Sequence, residues 1–166
     1  MILVDTDVLS AMVKIGRLSL FFALFQTNRL QIAPGVAREL AHSLNLRRQY
    51  AEEAFALVSS GQIQVVSLTK EEAAFQDTLP ATLGTGERES IAIARERGGT
   101  VLSNESRVAH CCRQYQIPCL RLPDILRALW TECIVSKQEV QDIITALQFK
   151  DRMQFKQATL DAILTD

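Results

Sequence analysis

At 166 residues, with 48% hydrophobic and 22% charged side chains, the chain is long enough to bury a core of its own and too apolar to be a disordered tail. A net charge of −1 excludes a protein that holds nucleic acid through a global basic field, so binding of that kind needs a local patch or a metal. The longest apolar run, at 18–25, falls well short of the roughly 20 residues that span a bilayer, and the opening MILVDTDV has neither a basic region nor a cleavage site, so a cytoplasmic protein is expected.

In chain order, ILVD at 2–5 reads as a first strand, followed by helical patterns at 8–15 and 18–25. LQIA at 30–33 is a second strand, with helices at 36–44 and 48–59. IQVVSL at 63–68 is a third, with helices at 71–77 and 87–97. TVLS at 100–103 leads to a helix at 106–115, and PCLRL at 118–122 to one at 123–130. Strands that alternate with helices, and that show little polar alternation of their own, predict an α/β fold with a mostly parallel sheet of about five strands covered on both faces.

The tail differs. From 136 onward it reads as two helices, 139–147 and 151–164, the first opened by a capping box between Ser136 and Glu139. Ile143, Ile144, Leu147, Phe155, Leu160, Ile163 and Leu164 form the apolar stripes of these helices. The chain therefore divides into a main domain at 1–132 and a helical extension at 133–166 that packs on it, covering a sheet edge or making an oligomer contact.

Four acids fall where buried strands hand over to helices: Asp5, Glu39, Glu87 and Glu105. In open parallel sheets the ligand crevice lies outside the carboxyl ends of the strands. Several carboxylates at one such mouth repel one another and lose hydration, and a divalent cation is the simplest remedy. Hard oxygen donors select Mg²⁺ or Mn²⁺. Ordinary roles compete for the same residues. Asp7 is the better N-cap for the helix expected at 8–15, and Asp5 the lesser one. Glu87 and Glu105 suit helix N-termini through the dipole alone. Glu72 closes a capping box with Thr69 and belongs to structure. Cys111, Cys112, Cys119 and Cys133 match no common zinc spacing, even with His110 beside them, and read as reduced thiols.

On these residues the chain resembles the PIN-domain nucleases, including the VapC-type toxins of bacterial toxin–antitoxin pairs. VDTDVLS is similar to that family's opening V-D-[TS]-[SND]-x-L, IAPGVAREL to its P-x-x-V-x-x-E-L, and LGTGERESIAIA followed by TVLSNES to its third and fourth motifs. The likeness is best to a subgroup with GE in the third motif, and the tail of this chain, VSKQEVQDIITALQFKDRMQF, also resembles that subgroup. Glu stands at the third and fourth acid positions, where Asp is usual. The resemblance implies a PIN-like three-layer α/β/α fold and a divalent-metal endoribonuclease. Asp5, Glu39, Glu87 and Glu105 would be its catalytic acids, with Asp5, Glu87 and Glu105 holding Mg²⁺ or Mn²⁺. Asp7 and Ser103 would support them, and Glu89 is a second acid able to replace Glu87. Arg88, beside a metal ligand, is the first candidate contact to substrate, with Lys14, Arg17, Arg38, Arg47 and Arg48 behind it. Single-stranded RNA, products with 5′-phosphate and 3′-hydroxyl ends, a small antitoxin and a homodimer are further implications.

Two other readings compete. A degenerate PIN-fold module would bind a partner and cleave nothing. A haloacid-dehalogenase-type phosphatase would use Asp5 as nucleophile and Asp7 as acid/base, but Leu9 stands where Thr or Val belongs and SNES lacks the paired acids. A dinucleotide fingerprint at Gly84 and Gly86 fails because Glu89 occupies the third glycine's place.

Overall fold

The computed structural model describes residues 1–165. The elements run β1 (Ile2–Val4), α1 (Thr6–Lys14), α2 (Ser19–Leu24), β2 (Leu30–Ile32), α3 (Pro34–Asn45), α4 (Gln49–Ser59), β3 (Ile63–Val65), α5 (Lys70–Thr78), α6 (Thr85–Arg97), β4 (Thr100–Leu102), α7 (Ser106–Gln114), β5 (Cys119–Leu120), α8 (Leu122–Thr131), α9 (Lys137–Lys150) and α10 (Gln157–Leu164). The five strands form one sheet in the order β3-β2-β1-β4-β5, and every pairing is parallel. Helices flank the sheet on both sides, giving the expected three-layer α/β/α architecture.

Burial explains why these short runs become strands. Leu3, Val4, Leu30, Ile32, Val101 and Leu102 are all closed off from solvent, consistent with strands that show little polar alternation, while β3 at the sheet edge leaves Gln64 and Val65 exposed. The order also fixes where a ligand can sit. The chain winds outward from β1 through β2 to β3, then returns to the other side of β1 for β4 and β5. Between β1 and β4 the winding reverses, and the crossovers leave a crevice at the carboxyl ends of those two strands.

Two contacts lock the helices that carry acids. Gly35 at the start of α3 lies against Gly86 at the start of α6: a Cβ at position 35 would stand 2.5 Å from both Cα and N of Gly86. Only a residue without a side chain allows this approach. Farther along, Glu72 of α5 is 1% exposed, caps the helix by accepting from the Thr69 backbone N–H at 2.7 Å, and receives Arg97 of α6 through Nε at 2.5 Å and a terminal guanidinium nitrogen at 2.7 Å. Arg97 holds the Glu72 carboxyl below the usual carboxylate range. Because Glu72 titrates below its unfolded value, the stability this pair supplies is present above the unfolded pKa and is lost as pH falls. Glu72→Gln is expected to cost about 1.5–3 kcal/mol at pH 7 and much less near pH 3, measured by urea unfolding at the two pH values.

The tail departs from the expected pattern. One helix spans Lys137–Lys150, but the second begins only at Gln157, and 151–156 is irregular. Asp151 ends α9 and accepts from Lys14 Nζ at 2.5 Å, while Met153 and Phe155 reach the core from non-helical backbone. The apolar stripe there is real, but its period is not helical. α9 packs on α8 and α1, and α10 on α8, where Trp130 Nε1 donates to the Ile163 carbonyl at 2.7 Å. All four cysteines are free. Among the described residues no helix is long and apolar enough to cross a membrane.

Candidate active site at the switch point of the sheet

Asp5 is the first residue after β1, and its own backbone N–H still bonds the Leu102 carbonyl of β4 at 2.9 Å, so the carboxylate is planted on the rim of the switch point. Asp5, and not Asp7, is the N-cap of α1; it accepts from the Thr6 N–H at 2.8 Å. The helix therefore begins at Thr6, two residues earlier than the apolar spacing suggested. The other Asp5 oxygen accepts from Ser103 Oγ at 2.8 Å, and Ser103 is 0% exposed at the end of β4. The Ser103 hydroxyl in turn accepts from the Glu105 N–H at 3.2 Å, which ties the β1 and β4 ends together.

The remaining acids come from four directions. Asp7, in the first turn of α1, accepts from the N–H groups of Val8 at 2.7 Å and Asn104 at 3.2 Å. Glu39, on α3, accepts a short hydrogen bond from the Thr6 hydroxyl. Glu87, on the first turn of α6, reaches back to the Gly84 N–H at 2.5 Å. Glu105 is the N-cap of α7 and uses no side-chain cap bond. Asp5, Asp7, Glu39, Glu87 and Glu105 all line one open cleft of about 520 Å³. Thr6 and the 81–84 segment complete its walls, and Arg107 is the one basic side chain on them.

The crowding has an electrostatic signature. Burial, then the charge of Asp7 and, more weakly, that of Glu87, push the Asp5 carboxyl up to about 7, although the Ser103 and Thr6 hydrogen bonds pull the other way. Asp7 is raised too, first by burial and then by Glu105, against hydrogen bonds from Val8 and Asn104. Carboxylates so placed are costly to ionise unless a cation joins them, and strongly shifted groups in a cleft mark functional sites.

A family model for the PIN domain matches residues 1–166, the whole sequence. The chain belongs to the PIN-domain family. No curated protein is similar enough to it to count as a match. PIN domains are a nuclease fold, typically metal-dependent and acting on nucleic acid, and the acid cleft of this PIN domain occupies the place where α/β sheets bind ligands. Among the described residues no three His, Cys, Asp or Glu side chains stand close enough together to hold a metal ion jointly. That spacing still suits Mg²⁺, which keeps several waters and takes one or two carboxylates directly. Donor chemistry agrees: the cleft offers carboxylate and hydroxyl oxygens, and no thiol or imidazole.

Two residues singled out in the sequence lie elsewhere. Glu89 is 5% exposed and turned away from the cleft; it accepts from the Gly35 N–H and pairs with Arg38 at 2.8 Å, bracing α6 against α3. Glu87 and Glu89 are two positions apart on a helix, so they point to different faces and only one can reach the cleft. Arg88 is not part of the cleft wall, and its Nε is buried without a hydrogen-bond partner among the described residues. Lys14 and Arg38 are committed to Asp151 and Glu89. The sequence motifs do not single out Arg107, although it sits two residues beyond Glu105 on the same helical turn. Its guanidinium donates to the Thr82 carbonyl at 2.8 Å and lies 3.9 Å from the Glu105 carboxylate.

Proposed function

We propose that this PIN domain is a Mg²⁺- or Mn²⁺-dependent endoribonuclease and the toxin of a toxin–antitoxin pair. The observation that carries the reading is the meeting of Asp5, Asp7, Glu39, Glu87 and Glu105 in one cleft, with Asp5 pushed up to about 7. Asp5, with Glu87 or Glu105 beside it, would hold the cation. When bound, the cation supplies Lewis-acid polarisation of the scissile phosphate and makes water a better nucleophile. Ser103 and the Thr6 N–H fix the Asp5 carboxylate so that one orientation faces the cleft. Glu39, held by Thr6, is placed to orient the attacking water or take its proton. Arg107 can meet a phosphate at the rim. The nuclease domain is assigned to 1–132, with 133–166 as its helical extension, and the active species to a homodimer. An antitoxin peptide would place an Arg against the carboxylates, the strongest pairing such a cleft permits.

The expected result is endonucleolytic cleavage of a short single-stranded RNA in Mg²⁺ or Mn²⁺, with products bearing 5′-phosphate ends. EDTA should reduce the rate to background, and excess cation should restore it. Absence of cleavage in either cation would favour a non-catalytic binding module, a reading helped by the capping duties of Asp5 and Glu87. Release of phosphate from small monoesters would favour the phosphatase chemistry of Asp5 and Asp7. Growth arrest on expression, absent for Asp5→Asn, tests the toxin assignment separately.

A further inference from the structure

The acid cleft does not end at Arg107. A second hollow of about 300 Å³ continues from it, sharing Thr82, Leu83 and Arg107 as a common wall. One side is the outer face of α7, where Arg107, His110 and Gln114 follow one another at helical spacing. The other side is the 80–83 segment, with Pro80 and Leu83 turned into the hollow. The Arg107 bond to the Thr82 carbonyl at 2.8 Å ties the two sides together. No carboxylate lines this second hollow, in contrast to the cleft beside it, which has five. Its polar groups are a guanidinium, an imidazole, an amide and hydroxyls, while the exposed Pro80 supplies apolar surface over the buried Leu83.

We infer that the α7 groove is a nucleotide subsite, which takes the residue of a single-stranded RNA next to the phosphate held in the acid cleft. This rests on the nuclease reading of that cleft. An extended strand cleaved over the carboxylates must leave in some direction, and apart from Arg107 the cleft is lined by its five carboxylates, Thr6 and the 81–84 segment. The α7 groove is the exit where the chemistry changes sign. Arg107 stands at the junction, where a phosphate leaving the acid zone meets its first cation. His110 and Gln114 then offer donors to the next phosphate, sugar or base edge, and both are exposed enough to do so. A base laid on the exposed Pro80 ring covers apolar surface without a sequence-specific edge contact. Specificity at this position is therefore weak, and the groove sets affinity and strand direction. A protein partner fits less well, because Pro80 is the groove's main exposed apolar surface and the groove adjoins the acid cleft.

The test is fluorescence anisotropy with a labelled six-nucleotide single-stranded RNA and the full chain carrying Asp5→Asn, so that binding is read without cleavage. In that background His110→Ala and Gln114→Glu should each weaken binding by about fivefold or more, and Arg113→Ala should change it by less than about twofold. Arg113 is an exposed cation on the same helix that does not line the groove, so it controls for charge alone. Gln114→Glu keeps size and surface position, so a folding defect does not mask the result. Equal weakening by all three variants, no weakening by His110→Ala and Gln114→Glu, or no binding of the RNA at all would overturn the subsite. Cleavage by the wild-type chain is scored in parallel. Groove-dependent binding without cation-dependent cleavage defeats the nuclease reading alone, and cleavage with groove-independent binding defeats the subsite alone.

Discussion

Replacing Asp5 by Asn should abolish cation-dependent cleavage and, at the same time, stabilise the metal-free protein above neutral pH. Asp5 is only 7% exposed, and its carboxyl is pushed from 3.8 up to about 7 by burial first and the neighbouring acids second. A group whose folded-state pKa is raised favours the fold in its protonated form. Its contribution is complete below about pH 4 and is lost as pH climbs toward 7. At pH 8 the wild-type fold therefore carries an ionised, crowded carboxylate, at a cost on the order of 2–4 kcal/mol. Asn removes the charge and keeps an oxygen for the Thr6 N–H, so the helix cap survives. Thermal unfolding in EDTA should give a higher midpoint for the variant than for wild type at pH 8, and nearly the same midpoint at pH 4.5. Added Mg²⁺ should raise the wild-type midpoint and leave the variant's unchanged. Cleavage should fall by at least about 100-fold, because loss of even a supporting partner costs a metal site 10–100-fold. If Asp5 were only a helix cap, the pH-dependent difference in stability would remain, but cleavage would survive the substitution and Mg²⁺ would not distinguish the two proteins.

The second large effect is steric. Gly35→Ala should destabilise the protein by about 3 kcal/mol or prevent folding, because the new methyl group would stand 2.5 Å from the backbone of Gly86 and 2.9 Å from the Glu89 carboxylate. Backbone cannot yield as a flexible side chain can, so α3 and α6 would have to separate. Gly86→Ala meets its nearest atoms, the Val36 N and Cγ2, at 3.0 and 3.1 Å, and should cost less. Urea unfolding of the two variants should rank them in that order. Any Gly35→Ala protein that does fold should also cleave poorly, since α3 carries Glu39 and α6 carries Glu87. Equal stability of Gly35→Ala and wild type would mean that the helices are not held together through these glycines.

Much of the architecture could be read from the chain because two periods coexist in it. Uninterrupted apolar runs such as ILV and TVL have no solvent side, and amphipathic stretches lie between them; only a covered parallel sheet satisfies both. The acids at 5, 39, 87 and 105 are conspicuous because each lies beside an apolar run. What local pattern cannot carry is direction. On paper Asp7 is the better cap, and the structure gives the cap to Asp5 instead because β1 ends at Val4 and pairs with β4 through the Asp5 N–H. Between Glu87 and Glu89 the choice follows from the Gly35–Gly86 contact, which brings the Gly35 N–H to Glu89 and leaves Glu87 at the rim. Arg107 escaped notice because its importance comes from the 81–84 segment opposite, which is more than 20 residues away in sequence. The tail's apolar spacing does not reveal its helix boundary, because Met153 and Phe155 are half-buried from an irregular segment that Asp151 starts by ending α9 and bonding Lys14.

The most direct measurement for the central claim is anomalous diffraction at the manganese edge from crystals of the wild-type chain grown with Mn²⁺. A peak in the cleft between β1 and β4, in contact with an Asp5 oxygen and lost in Asp5→Asn crystals, is the predicted result. A cleft without Mn²⁺, or a peak indifferent to the substitution, would contradict it.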